Sequence, residues 1–173
     1  MGRVEPVSFD LYFVERPKPG AGWGDVMDGL EAAAAEDRDP TAEDLELWDR
    51  IAAAVLPVVP EAELFEQDRS RLLDDGNAVQ LHMAPGEISL NTPYWFEGEQ
   101  AKQVIETLRT VAMAIENATG LVAYDPQADM AFLDGGAEAA SQSFDQAHHF
   151  IRDELGARPP DSSKRPWWAL WKR

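Results

Sequence analysis

The sequence contains no cysteine, which excludes a disulfide framework and a thiolate metal site. It also lacks any apolar run approaching the roughly 18 residues that a membrane span needs. Its first residues, Met-Gly-Arg-Val-Glu-Pro, include no apolar stretch of secretory length. We therefore expect a cytoplasmic protein.

Basic residues are scarce, with 15 Lys and Arg against 32 Asp and Glu and a formal net charge of −17. Such a surface repels nucleic acid and anionic lipid, because binding them requires clustered Lys and Arg. It attracts cationic proteins and metal ions, and it keeps a fold soluble. The densest segment, residues 25–49, holds ten carboxylates and one arginine. The charge therefore excludes a nucleic-acid partner and favours a cationic protein partner, although solubility alone also accounts for it.

The length and apolar content suit one globular domain, and we predict that it spans residues 1–156. The last ten residues, "KRPWWALWKR", contain three of the six Trp and four of the fifteen basic residues, with no carboxylate. Without them the chain has a formal charge of −21. Residues 157–173 are therefore predicted to be a linker and a basic Trp-rich tail.

Several short segments have the pattern of strands. Residues 8–15, "SFDLYFVE", alternate apolar and polar side chains, as a strand with one wet face does. Pro85-Gly86 separates two more alternating segments and predicts a hairpin. Residues 62–67 fit an edge strand, and 68–77 read as a loop. The hairpin is expected to bury Val79, Leu81, Met83, Ile88 and Leu90, and to turn Gln80, His82, Ser89 and Asn91 outward, while residues 121–127 and 130–133 form two short strands.

Helical periodicity appears four times, at about residues 25–36, 41–56, 98–118 and 143–155. Asp25 is the expected N-cap of the first helix, and Thr41 with Asp44 forms a capping box for the second. The core order of strand, helix, strand, strand, helix, strand predicts an α+β fold. It would have an antiparallel sheet with a split βαβ (ferredoxin-like) core and its helices on one face. An extra C-terminal helix and the Trp-rich tail could cover the other face. The apolar stripe of the second helix is predicted to be Leu45, Trp48, Ala52 and Val55, and that of the third Val104, Leu108, Val111 and Ile115.

Two aromatic segments, "NTPYWFEGEQ" and "YDPQ", stand at predicted strand ends. If those strands are neighbours, Tyr94, Trp95, Tyr124 and Asp125 share one rim, with Gln127 beside it. Exposed aromatic rings among carboxylates suit a cationic partner, through cation–π contact and charge complementarity. The alternative, that the rings close the core where the helix begins, fits the pattern slightly better.

The tail has three interpretations, each resting on Trp167, Trp168 and Trp171. These side chains could dock on the protein's own sheet or helices, which is the interpretation we favour. They could insert into a partner, since Trp and Arg are typical hot-spot residues. They could also sit at a membrane interface, aided by the positive charges.

Catalytic and cofactor motifs are weak throughout. "GAGWGD" lacks the third glycine of a dinucleotide loop, and its carboxylates would repel phosphate. "DRDPTAEDLE" lacks the glycine and the glutamate of a calcium loop. His82 with Asp10 and Tyr12 could form an acid–base trio, and His148 with His149 could hold a metal. We predict no catalytic residue, metal or cofactor; the alternative is a small hydrolytic or metal-dependent enzyme that uses these histidines.

Four segments, "SFDLYFVE", "GEISLNTPYW", "EQAKQVIETL" and "TGLVAYDPQ", together resemble a group of uncharacterised single-domain proteins common in actinobacteria. The resemblance spans about residues 7–127 and implies no activity and no site residues. In size and charge alone, the chain is also similar to bacterial immunity proteins, which neutralise toxins. Our leading hypothesis is a non-enzymatic acidic module that binds a cationic protein.

Overall fold

The computed structural model describes residues 8–93, 96–135, 139, 141–142 and 144–145. This part of the chain forms an α+β fold with one antiparallel sheet and three named helices. The described residues between 139 and 145 are also helical. In chain order the elements are β1 (Ser8–Val14), α1 (Trp23–Ala34), α2 (Ala42–Val55), β2 (Glu63–Glu66), β3 (Arg71–Asp74), β4 (Gln80–Ala84), β5 (Glu87–Pro93), α3 (Gly98–Thr119), β6 (Val122–Asp125) and β7 (Met130–Ala131).

The sheet has seven strands in the order β2-β3-β4-β5-β1-β6-β7. The α+β class and the antiparallel pairing are confirmed, but the sheet is larger than that of a simple ferredoxin-like fold. One reason is that residues 68–77, predicted to be a loop, contain β3. The amide of Gln67 donates to the carbonyl of Ser70 (2.9 Å) and closes the turn between β2 and β3. On its other side β3 pairs with β4, where Leu73 lies opposite the buried Leu81.

The core lies on one face of the sheet. Because side chains alternate along a strand, the odd-numbered residues of β1 face this core, where Leu11 lies opposite Leu90 of β5 and Phe9 lies opposite Thr92. Helices α2 and α3 pack over them. The predicted stripe of α2 is wrong at Leu45, which is 37% exposed because the first turn of α2 lies outside the core; Ile51 is buried instead. The largest buried side chains include Phe9, Leu11, Trp48, Ile51, Leu73, Leu81, Met83, Leu90, Leu108, Ile115 and Phe144.

Helices α1 and α2 each begin with a hydrogen bond from the N-cap amide to an aspartate in the first turn. For α2 the predicted box is confirmed: the amide of Asp44 donates to Thr41 Oγ1 (3.2 Å), and the amide of Thr41 donates to Asp44 Oδ2 (2.7 Å). The prediction for α1 is wrong by three residues. Its N-cap is Gly22, whose amide donates to Asp25 Oδ2 (3.0 Å). Asp25 therefore acts from the first turn, where its charge also complements the helix dipole.

Helix α1 lies on the opposite face of the sheet from α2 and α3. Its Trp23 ring stacks on Tyr124, which pairs with Tyr12 on that second face. At its other end, Ala33 packs so closely on the Pro85-Gly86 turn that a Cβ on Gly86 would lie 2.9 Å from the carbonyl carbon of Ala33. Gly86 also has φ +80°, which favours glycine. The prediction that all helices share one face is therefore wrong, and α1 supplies cover that we had expected from the C-terminal helix and tail.

Candidate functional site

The second face of the sheet is polar where α1 leaves it open. Asp10 Oδ1 accepts hydrogen bonds from Ser8 Oγ (2.7 Å) and from Asn91 Nδ2 on the neighbouring strand. In the same cross-strand row, Gln80 Nε2 on β4 donates to Asp74 Oδ2 on β3 (3.4 Å). This side of the sheet is therefore a hydrogen-bonding surface, in contrast to the apolar core face.

The predicted acid–base trio lies on this polar face but does not come together. His82 pairs with Ser89, and Ser89 pairs with Tyr12, so two strand spacings, about 10 Å, separate the histidine and tyrosine backbones. No hydrogen bond joins His82, Asp10 and Tyr12. Burial, with the nearby charges of Asp10, Glu87 and Glu31, raises the pKa of Tyr12. Tyr12 is therefore a neutral phenol at pH 7 and is poorly suited to act as a base.

Tyr124 lies beneath Trp23 at the edge of this face. The two ring centroids are 4.7 Å apart and the ring planes differ by 15°, which leaves Tyr124 only 4% exposed. Its hydroxyl donates to Asp129 Oδ1 (2.8 Å). Burial and this hydrogen bond raise the pKa of Tyr124 to about 12. A partner can reach the face of the Tyr124 ring only where Trp23 moves aside.

The other residues of the predicted aromatic rim differ in exposure, and some lie outside the described chain. Asp125 is 1% exposed. Its Oδ1 accepts hydrogen bonds from the backbone amides of Gln127 (2.8 Å) and Ala128 (3.2 Å), so this carboxylate stabilises the turn after β6. Gln127 is exposed. The binding role of the rim therefore stays a prediction, with Gln127 its accessible member within the described chain. Tyr94, Trp95, Trp167, Trp168 and Trp171 lie outside the described residues, as do His148 and His149.

Trp23 is the residue of this region that the sequence did not suggest. The first helix is predicted to begin at about residue 25, yet Trp23 is the first residue of α1. Residues 23, 26, 27, 30 and 33 of α1 are half-buried, at the 3–4-residue spacing of a helix face. If this spacing is extended back to residue 23, it predicts that Trp23 belongs to the face of α1 that packs on the sheet.

Replacing Trp23 with alanine should expose the Tyr124 ring. We expect the pKa of Tyr124 to fall from about 12 towards its ordinary value near 10, because burial is the main cause of its elevation. Loss of the stacked pair should also cost about 0.5–1.5 kcal/mol of stability. Tyrosine ionisation, followed by ultraviolet absorbance, measures the shift. Trp23→Phe is the control that retains a stacked ring, and an unchanged titration in the alanine variant would contradict the role of Trp23 as a cover.

The acidic segment 25–49 separates into paired and unpaired carboxylates. Asp44 binds Arg38 (2.6 Å), and Asp49 binds Arg71 (2.5 Å). Arg69 holds the two aspartates of the loop between α1 and α2, at positions 37 and 39. The other six are exposed and make no ion pair with Lys or Arg within the described chain. These six are Asp25, Asp28 and Glu31 on α1, Glu36 just after it, and Glu43 and Glu46 on α2, and we call them the acidic strip for their run along the sequence.

A polar cavity of about 240 Å³ lies between the β3–β4 connection and the first turns of α3. Asp75 is part of its lining, and Asp75 Oδ1 accepts hydrogen bonds from the backbone amides of residues 77, 78 and 79. Phe96 contributes the aromatic part of the lining. The side-chain amides of the lining come from Asn77, Gln100 and Gln103.

The described ranges lack two features, a group of metal ligands and a membrane-spanning helix. Within them, no three or more His, Cys, Asp or Glu side chains are grouped so as to hold a metal ion. None of the helices found there has the length and apolar character needed to cross a membrane. Comparisons with protein families, curated proteins and solved structures find no match for this chain. Its function must therefore be argued from its own surface.

Proposed function

We propose that this protein is a non-enzymatic, cytoplasmic binding module whose acidic surface engages a cationic protein. The observation that supports this most is the acidic strip. A carboxylate that forms an ion pair with an arginine attracts a second cation only weakly. The six carboxylates of the strip are exposed and form no ion pair with the described Lys and Arg residues. Three of them, Asp25, Asp28 and Glu31, lie on α1, beside the half-buried Trp23.

The physical role of the strip would be to steer and orient the partner. Exposed charges of one sign raise the association rate with an oppositely charged protein, and they influence its orientation more than they add affinity. The aromatic ring of Trp23 and the predicted rim would then supply contact area. An immunity protein that neutralises a cationic toxin is the form of this function that the size and charge of the chain resemble.

We also propose that the sheet contains a split βαβ (ferredoxin-like) core. The four central strands follow the order β4-β5-β1-β6, with α2 and α3 on the core face. This order is consistent with a split βαβ core, to which β2, β3 and β7 would be additions. In this interpretation, the acidic strip lies in the connection between the first two strands of that core.

Neutralising part of the strip tests the proposed function. We expect the combined substitutions Asp28→Asn, Glu31→Gln, Glu43→Gln and Glu46→Gln to weaken binding of a cationic peptide rich in Lys and Arg by about tenfold at low salt. That corresponds to a few tenths of a kcal/mol for each exposed charge pair. Fluorescence anisotropy at two ionic strengths measures this, and the effect should largely disappear at about 0.5 M salt.

The matched control neutralises four carboxylates elsewhere. Glu15→Gln, Glu99→Gln, Glu106→Gln and Asp145→Asn change the net charge by the same amount. If the function is local to the strip, this control should lose less than about threefold in affinity. Equal losses in both variants would mean that net charge alone attracts the peptide, and the proposed surface would be wrong.

A further inference from the structure

The sheet has an open edge at β2. Within the described chain only β3 pairs with this strand, and Glu63, Leu64 and Glu66 are exposed. The opposite end of the sheet is β7, which has only two residues. A free strand edge presents unpaired N–H and C=O groups and is a template for another strand. The longer open edge of the described sheet is therefore that of β2.

The turn between β2 and β3 shows which backbone groups point outward. The amide of Gln67 donates to the carbonyl of Ser70 (2.9 Å), so these two residues form a hydrogen-bonded pair. In an antiparallel ladder such pairs recur at every second residue, which assigns the next one to Phe65 and Leu72, opposite each other in the register. Leu64 and Glu66 therefore direct their N–H and C=O groups away from β3.

The side chains of this edge select the charge of what can pair with it. Glu61, Glu63, Glu66 and Asp68 lie on or beside β2, and of these Glu66 is paired, with Arg71 (3.2 Å). A second copy of the chain would place like charges opposite one another, which opposes pairing. A strand that carries Lys or Arg would place opposite charges there instead. The same carboxylates thus discourage self-association and favour a cationic segment.

We propose that β2 is the docking edge of this protein, on which an extended, Lys- or Arg-bearing segment of the partner adds as an eighth strand. This inference rests on the proposed function and specifies how the cationic partner binds. Main-chain hydrogen bonds to residues 64 and 66 would supply affinity, and the flanking carboxylates would supply selectivity. The side chain of Leu64, which is 36% exposed, would add an apolar contact.

The decisive experiment compares two peptides of equal charge. The first is a fluorescein-labelled nine-residue peptide of alternating Lys and Thr, and the second has the same sequence with every backbone amide N-methylated. N-methylation removes the donors of a strand but leaves its charge. We expect the methylated peptide to bind at least about tenfold more weakly, because main-chain pairing contributes the affinity.

Variants of the protein locate the binding to β2. Leu64→Pro removes one outward donor, which an edge strand tolerates, and should weaken the unmodified peptide while leaving the methylated one unaffected. Glu61→Gln with Glu63→Gln and Asp68→Asn should weaken it at low salt, more than Glu15→Gln with Glu99→Gln and Glu106→Gln. Circular dichroism establishes that each variant is folded. If wild type binds both peptides equally, β2 is not the docking edge, although the proposed function stands. If it binds neither at low salt, the proposed function itself is wrong.

Discussion

Replacing Trp48 with alanine is expected to lower the free energy of unfolding by about 3–5 kcal/mol, the usual range for a large buried aromatic side chain. The Trp48 indole is 2% exposed and lies between α2 and the core face of the sheet. The guanidinium of Arg71 lies 5.8 Å from its ring centroid. Arg71 also binds Asp49 on α2 and Glu66 on β2. The substitution therefore opens a cavity and also removes the ring over which this ion-pair network is held.

The expected loss is a large fraction of the free energy of unfolding, since domains of this size are stable by only about 5–15 kcal/mol. Urea denaturation measures the change as a lower midpoint with an unchanged slope. Leu45→Ala is the matched control, because Leu45 lies one turn earlier on α2 and is 37% exposed; we expect it to cost less than about 0.5 kcal/mol. A loss below about 1 kcal/mol for Trp48→Ala would contradict the central position of this residue.

The elements that the sequence predicts well are those with a long, regular apolar period. β1 alternates from Ser8 to Phe13, and α3 repeats its apolar residues through several turns, so neither depends on a neighbour to be recognised. β3 has only a short apolar pair, Leu72 and Leu73, among charged and turn-forming residues. It is a strand because β4 and β2 pair with it on both sides. That information is tertiary and is absent from the local pattern.

The position of α1 could not be predicted for a related reason. Its apolar stripe shows that one side packs on something, but the period is the same whichever face of the sheet it covers. Two long-range contacts determine the face: the stacking of Trp23 on Tyr124, and the close approach of Ala33 to Gly86. The candidate rim depends on the same contacts. A tyrosine at a strand end is equally consistent with an exposed ring and with one under a helix.

In the acidic segment, the sequence predicts the number of carboxylates but not which of them form ion pairs. Composition alone identifies the excess of carboxylates in residues 25–49. It does not distinguish those that build the fold from those left for a partner, because Arg69 reaches the α1–α2 loop from the turn between β2 and β3. Only the folded chain separates the acidic strip from Asp44, which is a structural carboxylate despite its position within the segment.

Replacing Asp44 with asparagine is expected to lower stability at neutral pH by about 1–2 kcal/mol, because the residue completes the N-terminal cap of α2 and binds Arg38. The hydrogen bond from Arg38 is the main cause that lowers the pKa of Asp44 from 3.8 to about 2, and the hydrogen bonds from Thr41 add to it. A carboxylate with a lowered pKa in the folded state stabilises the fold above its unfolded pKa. That contribution is lost as the pH falls through the folded pKa.

The contribution of Asp44 should therefore be fully present above about pH 4 and should disappear between about pH 4 and pH 2. Over this interval the stability of the wild type should fall more steeply than that of Asp44→Asn, so that the two curves converge near pH 2. Thermal unfolding at a series of pH values measures the difference. Glu43→Gln removes the neighbouring charge of the same helix turn without touching the cap, and its difference from wild type should be small throughout. Parallel curves for wild type and Asp44→Asn across the acid range would show that the carboxylate is not held ionised by Arg38 and Thr41, and Asp44 would then belong with the acidic strip.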